Sequence, residues 1–225
     1  MPETNALICG ASGAIGNAVL KLLLEDPAYS KVLAWVRHEL PIQNPKLSQV
    51  EIDFDAIAEQ TAPFPVHHVF CTLGTTMKKA GSKDNFRKVD FEYVRDLAHW
   101  AADNSAEKFL VVSAIGASAG SKVFYSRTKG EMEEAVKDMQ IPGTIIFRPS
   151  MLVGGKRSEF RFGEVIGGFF LTLFWPFLLG GLSKYRAIRP KTVASAMVET
   201  AKSGTMGAHV IDSAQMHTLS NVKRN

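Results

Sequence analysis

Tyr125-Ser-Arg-Thr-Lys129 sets a phenol and an ammonium four positions apart. On a helix, residues at that spacing share one face. A free phenol has a pKa of about 10, too high to exchange protons readily at neutral pH. A cation beside it stabilises the phenolate and brings that value down. Ser113 lies twelve residues before Tyr125, at the end of an apolar run, and its hydroxyl could bond the same substrate oxygen as the phenol. Such a set suits proton transfer to and from an oxygen.

A second chemical feature stands near the start of the chain. Gly10, Gly13 and Gly16 form G-x-x-G-x-x-G between the apolar run Ala6 to Cys9 and a stretch with helical spacing, Ile15 to Leu24. The first glycine permits a tight turn, the second a close approach of backbone to a pyrophosphate, the third a close approach of helix to sheet. The turn, from Gly10 through Ser12, Gly13, Ala14 and Ile15 to Gly16, then presents free N–H groups and a partial positive charge to phosphates. Its position between the first strand and the first helix predicts dinucleotide binding. A fold that prefers NAD carries an acid at the end of its second strand to bond the adenosine ribose. Here Val32 to Val36 runs into Arg37 and His38. A guanidinium at that place suits a 2′-phosphate, so NADP(H) is expected over NAD.

The elements that must position these groups follow from the apolar pattern. Strands are expected over Ala6–Cys9, Val32–Val36, Val50–Ile52 ending at Asp53, Val66–Leu73, Phe109–Ser113 and Thr144–Phe147. Between them fall helical stretches: Ile15–Leu24, Phe86–Asn104 and Tyr125–Met139. Beyond Arg148-Pro149 the alternation weakens, with a short strand at Arg186–Arg189, a helix at Lys191–Lys202 and a last strand at Ala208–Ile211. Alternating strands and helices mean βαβ units. Strands apolar at nearly every position mean helices on both faces. The expected fold class is α/β, a Rossmann-type doubly wound parallel sheet in a single domain over 1–225. Residues 150–190 would form most of a small C-terminal substrate-side region.

Composition narrows the setting. The chain has 225 residues and a net charge of +4, with its basic residues scattered. No Lys/Arg stripe with interleaved aromatics appears, which argues against nucleic acid. The two cysteines, Cys9 and Cys71, end apolar runs and fit a reducing compartment. No Cys/His spacing suggests a metal site. Without a basic n-region or a long apolar stretch at the N-terminus, a cytoplasmic protein is expected. Val165 to Leu182 carries no charged residue. It is broken by Pro176 and two Gly-Gly pairs and is borderline for a span that needs roughly 20 apolar residues. Packing on a substrate cleft is the expectation, with contact to a membrane surface or a protein partner as the alternative.

Taken in order, the glycine turn, Ser113 and the Tyr125–Lys129 pair resemble the short-chain dehydrogenase/reductase superfamily in its extended or atypical branch. Cys71-Thr-Leu-Gly-Thr-Thr76, Lys79-Ala80-Gly81, Val89-Asp90 and Phe147-Arg148-Pro149-Ser150 resemble the Tat-interacting-protein-like reductases within it. The resemblance implies an NAD(P)-dependent oxidoreductase acting on a carbonyl or alcohol of a small, fairly apolar substrate. It also leaves room for a cofactor-bound regulator or scaffold with little turnover. By the same resemblance Tyr125 is the general acid, Lys129 bonds the nicotinamide ribose and lowers the phenol's pKa, and Ser113 orients the carbonyl. Asp53 lies near the adenine. Leu73 and Gly74 pass the adenosine ribose and diphosphate. Arg148, Pro149 and Ser150 lie beside the nicotinamide. The chain departs from the pattern at Ser113-Ala114, where many relatives have two serines, which leaves Ser118 as a substitute. Asp90 stands near the place of the superfamily's relay asparagine.

Overall fold

In the computed structural model, residues 4–154 and 187–221 are described. Seven parallel strands form one sheet in the order β3-β2-β1-β4-β5-β6-β7. They are β1 (Thr4–Cys9), β2 (Tyr29–Val36), β3 (Leu47–Glu51), β4 (His68–Cys71), β5 (Lys108–Val112), β6 (Gly143–Arg148) and β7 (Gly207–Asp212). The helices are α1 (Ala14–Glu25), α2 (Met77–Ala80), α3 (Lys83–Arg87), α4 (Tyr93–Asp103), α5 (Phe124–Asp138), α6 (Pro190–Lys202) and α7 (Ser213–Asn221). The expected Rossmann-type α/β sheet is present. The order reverses between β1 and β4, which makes a switch point where ligands bind in open α/β sheets.

Period-two alternation sorts the strand residues into two apolar layers. Ala6 and Ile8 face α1 and α6, where Val19, Leu20, Leu23, Val193, Ala194 and Met197 are buried with them. Leu7 and Cys9 face the other way, onto Val94, Leu97, Ala98, Trp100, Met132 and Val136 of α4 and α5. Helices on both faces explain why the central strands are apolar at almost every position.

Several elements differ from expectation, three of them instructively. β3 begins at Leu47, earlier than the apolar residues suggest, because it is an edge strand with polar positions. Gln49 of β3 bonds across to the backbone of Leu40 and Ile42. The continuous periodicity of Phe86–Asn104 conceals a π-helical turn, Lys88–Glu92, between α3 and α4. The strand expected at Arg186–Arg189 is reduced, among the described residues, to a single bridge between Ile188 and Leu152. The segment Val165–Leu182, and with it most of the expected substrate-side region, lies outside the described residues. No described helix is long and apolar enough to cross a membrane.

Candidate active site

Gly10 leaves β1 at φ +89, a backbone conformation that favours glycine. A Cβ there would also come within 2.7 Å of the Thr72 backbone. Thr72 follows β4 and donates both its N–H and its hydroxyl to the Cys9 carbonyl, each at 2.9 Å. The two strand ends are thereby drawn together under the turn. A Cβ on Gly16 would collide with the Gly10 carbonyl and the Thr72 hydroxyl, so the third glycine allows α1 to lie against both strand ends. Gly13 is the N-cap of α1 and brings no side-chain cap, and the first turn of the helix holds no acid. A helix start with uncapped N–H groups and no competing carboxylate fits a pyrophosphate.

The other strand ends carry the remaining sequence-predicted residues. Arg37 is exposed immediately beyond β2, with no hydrogen bond or ion pair among the described residues. Asp53 is exposed beyond β3, where its carboxylate accepts the Asp55 N–H at 2.9 Å and caps a short 3-10 helix, Phe54–Glu59. Leu73 and Gly74 follow β4. A Cβ on Gly74 would stand 3.2 Å from the Asp90 carboxylate.

Tyr125 and Lys129 share one face of α5, as their spacing predicts. The Tyr125 ring lies against Phe86, with centroids 5.6 Å apart. Lys129 is buried, and its ammonium is 2.7 Å from Asp90, which is buried with it. The same Asp90 carboxylate accepts the Thr75 N–H at 2.7 Å. Cys71 lies within reach of both charges, and burial pushes its thiol up to about 12.

Ser113 is buried one residue past β5, and its hydroxyl donates to Glu133 at 2.5 Å. In this arrangement its single proton is directed at a carboxylate. Glu133 also accepts from Arg148, from Nε at 2.9 Å and from Nη2 at 2.5 Å. The Glu133 carboxylate is 1% exposed, and a buried polar group left without such partners is costly. The Pro149 carbonyl accepts the Ile115 N–H at 3.0 Å, and the Ser150 N–H donates to the Ser213 hydroxyl at 2.7 Å. Ser118 is exposed, and its N–H donates to the Ser126 carbonyl at 3.0 Å.

The glycine turn, Leu73, Gly74, Ser113, Tyr125, Lys129 and Arg148–Ser150 thus gather at the carboxyl edge of the central strands, while Arg37 and Asp53 mark its β2–β3 flank. Sequence reasoning missed Glu133. The available signal was its place four residues beyond Lys129, on the stripe that already carries Tyr125. It also placed Asp90 without its partner, because the π turn that buries Asp90 leaves no trace in apolar periodicity.

Residues 10–170 match the model of a family described as NAD(P)H-binding. Protein HTATIP2 of Rattus norvegicus is 35% identical over 73% of this chain and 69% of its own length. The mitochondrial protein FMP52-1 of Scheffersomyces stipitis is 34% identical over 69% of this chain and 70% of its own. The mitochondrial FMP52 of Eremothecium gossypii is 31% identical over 73% and 74%. These mitochondrial names overturn the expectation of a cytoplasmic protein; buried thiols indicate a reducing environment but no address. Among solved structures, MoeE5 in complex with UDP-glucose and NAD shares the fold with TM-score 0.67 at 15% identity, over 97% of this chain and 81% of its own. The Bordetella bronchiseptica enzyme WbmH in complex with NAD+ also has TM-score 0.67, at 18% identity, over 94% and 76%. Sheet order, glycine turn and sequence likeness agree: the chain belongs to the NAD(P)H-binding family, alongside HTATIP2 and FMP52.

Proposed function

We propose that the protein is an NADP(H)-dependent oxidoreductase that reduces a carbonyl, or oxidises the matching alcohol, on a small and fairly apolar substrate. The observation that carries this reading is the placement of Tyr125 and Lys129 on one face of α5, at the sheet edge that also holds the uncapped start of α1. The cofactor, when bound, supplies or accepts the hydride. Gly10, Ser12, Gly13, Ala14, Ile15 and Gly16 hold its pyrophosphate, with Leu73 and Gly74 beside the adenosine ribose. Arg37 pairs with the 2′-phosphate and Asp53 borders the adenine. Lys129, Arg148, Pro149 and Ser150 flank the nicotinamide end.

Tyr125 donates its phenolic proton to the carbonyl oxygen as that oxygen gains charge. Lys129 stands one helical turn behind it. Ser113 steadies the strand end through Glu133, and Ser118 supplies the exposed hydroxyl on the loop bonded to the turn that follows Tyr125. The test is NADPH oxidation, followed by its absorbance, over a panel of aldehydes, ketones and quinones, with NADPH binding followed by fluorescence. Tyr125→Phe is expected to abolish turnover and spare binding. Loss of both together, or turnover equal to wild type, would overturn the assignment.

One observation favours a second reading. The Ser113 proton rests on Glu133 and the Lys129 ammonium on Asp90, an arrangement also suited to a cofactor-bound regulator or scaffold with little turnover. On that reading no carbonyl of the panel is reduced by the wild-type protein, although NADPH binds.

A further inference from the structure

Arg37 and His38 form an exposed step between the end of β2 and the loop that leads to β3. Exposed connections are ordinarily the mobile parts of a fold. This one is tied on both sides of the step. Before it, the Val36 carbonyl accepts the Ile52 N–H at 3.0 Å. After it, the Glu51 carboxylate accepts the Glu39 N–H at 2.8 Å. Gln49 holds the residues that follow. Its Oε1 accepts the Leu40 N–H at 2.9 Å, and its Nε2 donates to the carbonyls of Leu40 and Ile42, each at 3.1 Å. A side-chain amide has two N–H donors and here both are engaged. Gln49 and Glu51 stand two apart on β3 and so project from one face. Pro41 lies between the bonded groups, where the Ile42 N–H donates to the Leu40 carbonyl at 2.7 Å, and its fixed φ stiffens the turn. Leu40 and Ile42 also pack on the apolar layer of α1 and α6. The backbone ladder of β2 and β3, from Val32–Leu47 to Val36–Glu51, is complete without the Gln49 side chain. Its bonds serve the loop.

We propose that Gln49 is a positioning residue: through the backbone of Leu40 and Ile42 it fixes the Arg37–His38 step before any cofactor arrives, and so contributes to preference for NADP(H) over NAD(H). This rests on the reading of Arg37 as the partner of the 2′-phosphate. Neither Arg37 nor His38 has a hydrogen bond or ion pair of its own among the described residues, so the loop and not their side chains holds the step. A guanidinium on a fixed backbone gives up only side-chain freedom on binding. On a loose loop it gives up backbone freedom as well. NAD(H) has no 2′-phosphate and does not sense the difference. Selectivity is then a property of the β2–β3 connection, with Arg37 as its contact point.

The test uses the full chain, with NADPH and NADH binding each followed by fluorescence titration. Gln49→Leu keeps the bulk and removes all three bonds of the amide. The ratio of NADPH to NADH affinity should fall about 2- to 10-fold, the range for ordering one mobile group. A merely structural loss would weaken both cofactors alike and leave that ratio unmoved. In an Arg37→Ala background the same substitution should not change the ratio further, since residues acting through one contact are not additive. A folded Gln49→Leu protein with the wild-type ratio overturns the proposal, as does a fall of equal size in the Arg37→Ala background. In the cofactor-free wild type the Glu39 and Leu40 amides should exchange hydrogen slowly, and exchange at the rate of an open chain also overturns it. If Gln49→Leu does not fold, Pro41→Gly, at an exposed position, loosens the same turn and is judged by the same ratio. Equal losses of both cofactors in Arg37→Ala end the 2′-phosphate reading and this proposal with it. A selective loss there without one in Gln49→Leu overturns this proposal alone.

Discussion

Arg37 gives the most direct test at the scale of one residue. It is exposed at the end of β2, where an NAD-selective fold keeps an acid. A charge-assisted bond to a 2′-phosphate contributes about 1.5–3 kcal/mol, or roughly 10- to 100-fold in affinity. Arg37→Ala should weaken NADPH binding by that factor in a fluorescence titration and leave NADH binding unchanged. Equal losses for both cofactors would remove Arg37 from the 2′-phosphate and reopen the choice of cofactor. Two serines divide a second role. Ser113→Ala frees an acceptor on buried Glu133 and should lower thermal stability more than turnover. Ser118→Ala should do the reverse. The residue types at this site were legible in the sequence, and their partners were not. Tyr125 and Lys129 announce themselves by spacing. The bonds from Asp90 to Lys129 and from Glu133 to Ser113 and Arg148 join residues far apart in the chain, on elements whose rotation no local pattern specifies.

At the scale of the element, α5 must be held at a fixed rotation for Tyr125 and Lys129 to face the cleft. Phe86 packs on Tyr125, Asp90 holds Lys129, and Glu133 ties the helix to the ends of β5 and β6. Gly130 adds a fourth restraint. A Cβ there would collide with the backbone of Ser118 and Ala119, so the loop from β5 lies directly on the helix. Backbone at both sides cannot rotate away as a side chain can. Gly130→Ala should cost about 1–3 kcal/mol, the range of core overpacking, and reduce turnover by displacing Ser118. Gly120 lies in the same loop with open space around it, and its replacement by Ala should leave the melting temperature close to that of wild type. A Gly130→Ala protein as stable as wild type would show that the loop can lift off α5. Strand positions were readable because buried parallel strands are apolar on both faces. The π turn was not, because its one buried position, between Phe86 and Val94, is held by the charged Asp90, which apolar periodicity does not register.

At the scale of the whole molecule, the sheet divides its labour between its two edges. The candidate ligand-binding groups sit at the carboxyl edge. A further buried polar cluster, remote from the candidate site, lies toward the opposite edge, where β2, β4 and β5 begin. There the Lys108 ammonium caps the end of α6 by donating to the Ala201 carbonyl at 2.8 Å and to that of Ser203, a favourable place for a cation. Its neighbour in the sheet is His68, whose ring bonds the Tyr29 hydroxyl at 2.9 Å. Burial, then the Lys108 charge, then His67 lower the His68 pKa from 6.5 to about 4. A histidine whose folded pKa lies below its unfolded value binds its proton first in the unfolded chain. The stability it contributes is full above pH 6.5 and is lost as pH falls toward 4. The loss over that window is about 3 kcal/mol, at about 1.36 kcal/mol per unit. Melting temperatures measured from neutral pH down through that window should fall accordingly, and His68→Gln should flatten most of that slope while lowering stability at neutral pH. The affinity of the remaining folded protein for NADPH should not follow the same curve, since His68 stands at the edge away from the glycine turn. If NADPH affinity and melting temperature titrate together through His68, the two edges are coupled across the strands and the division of labour fails.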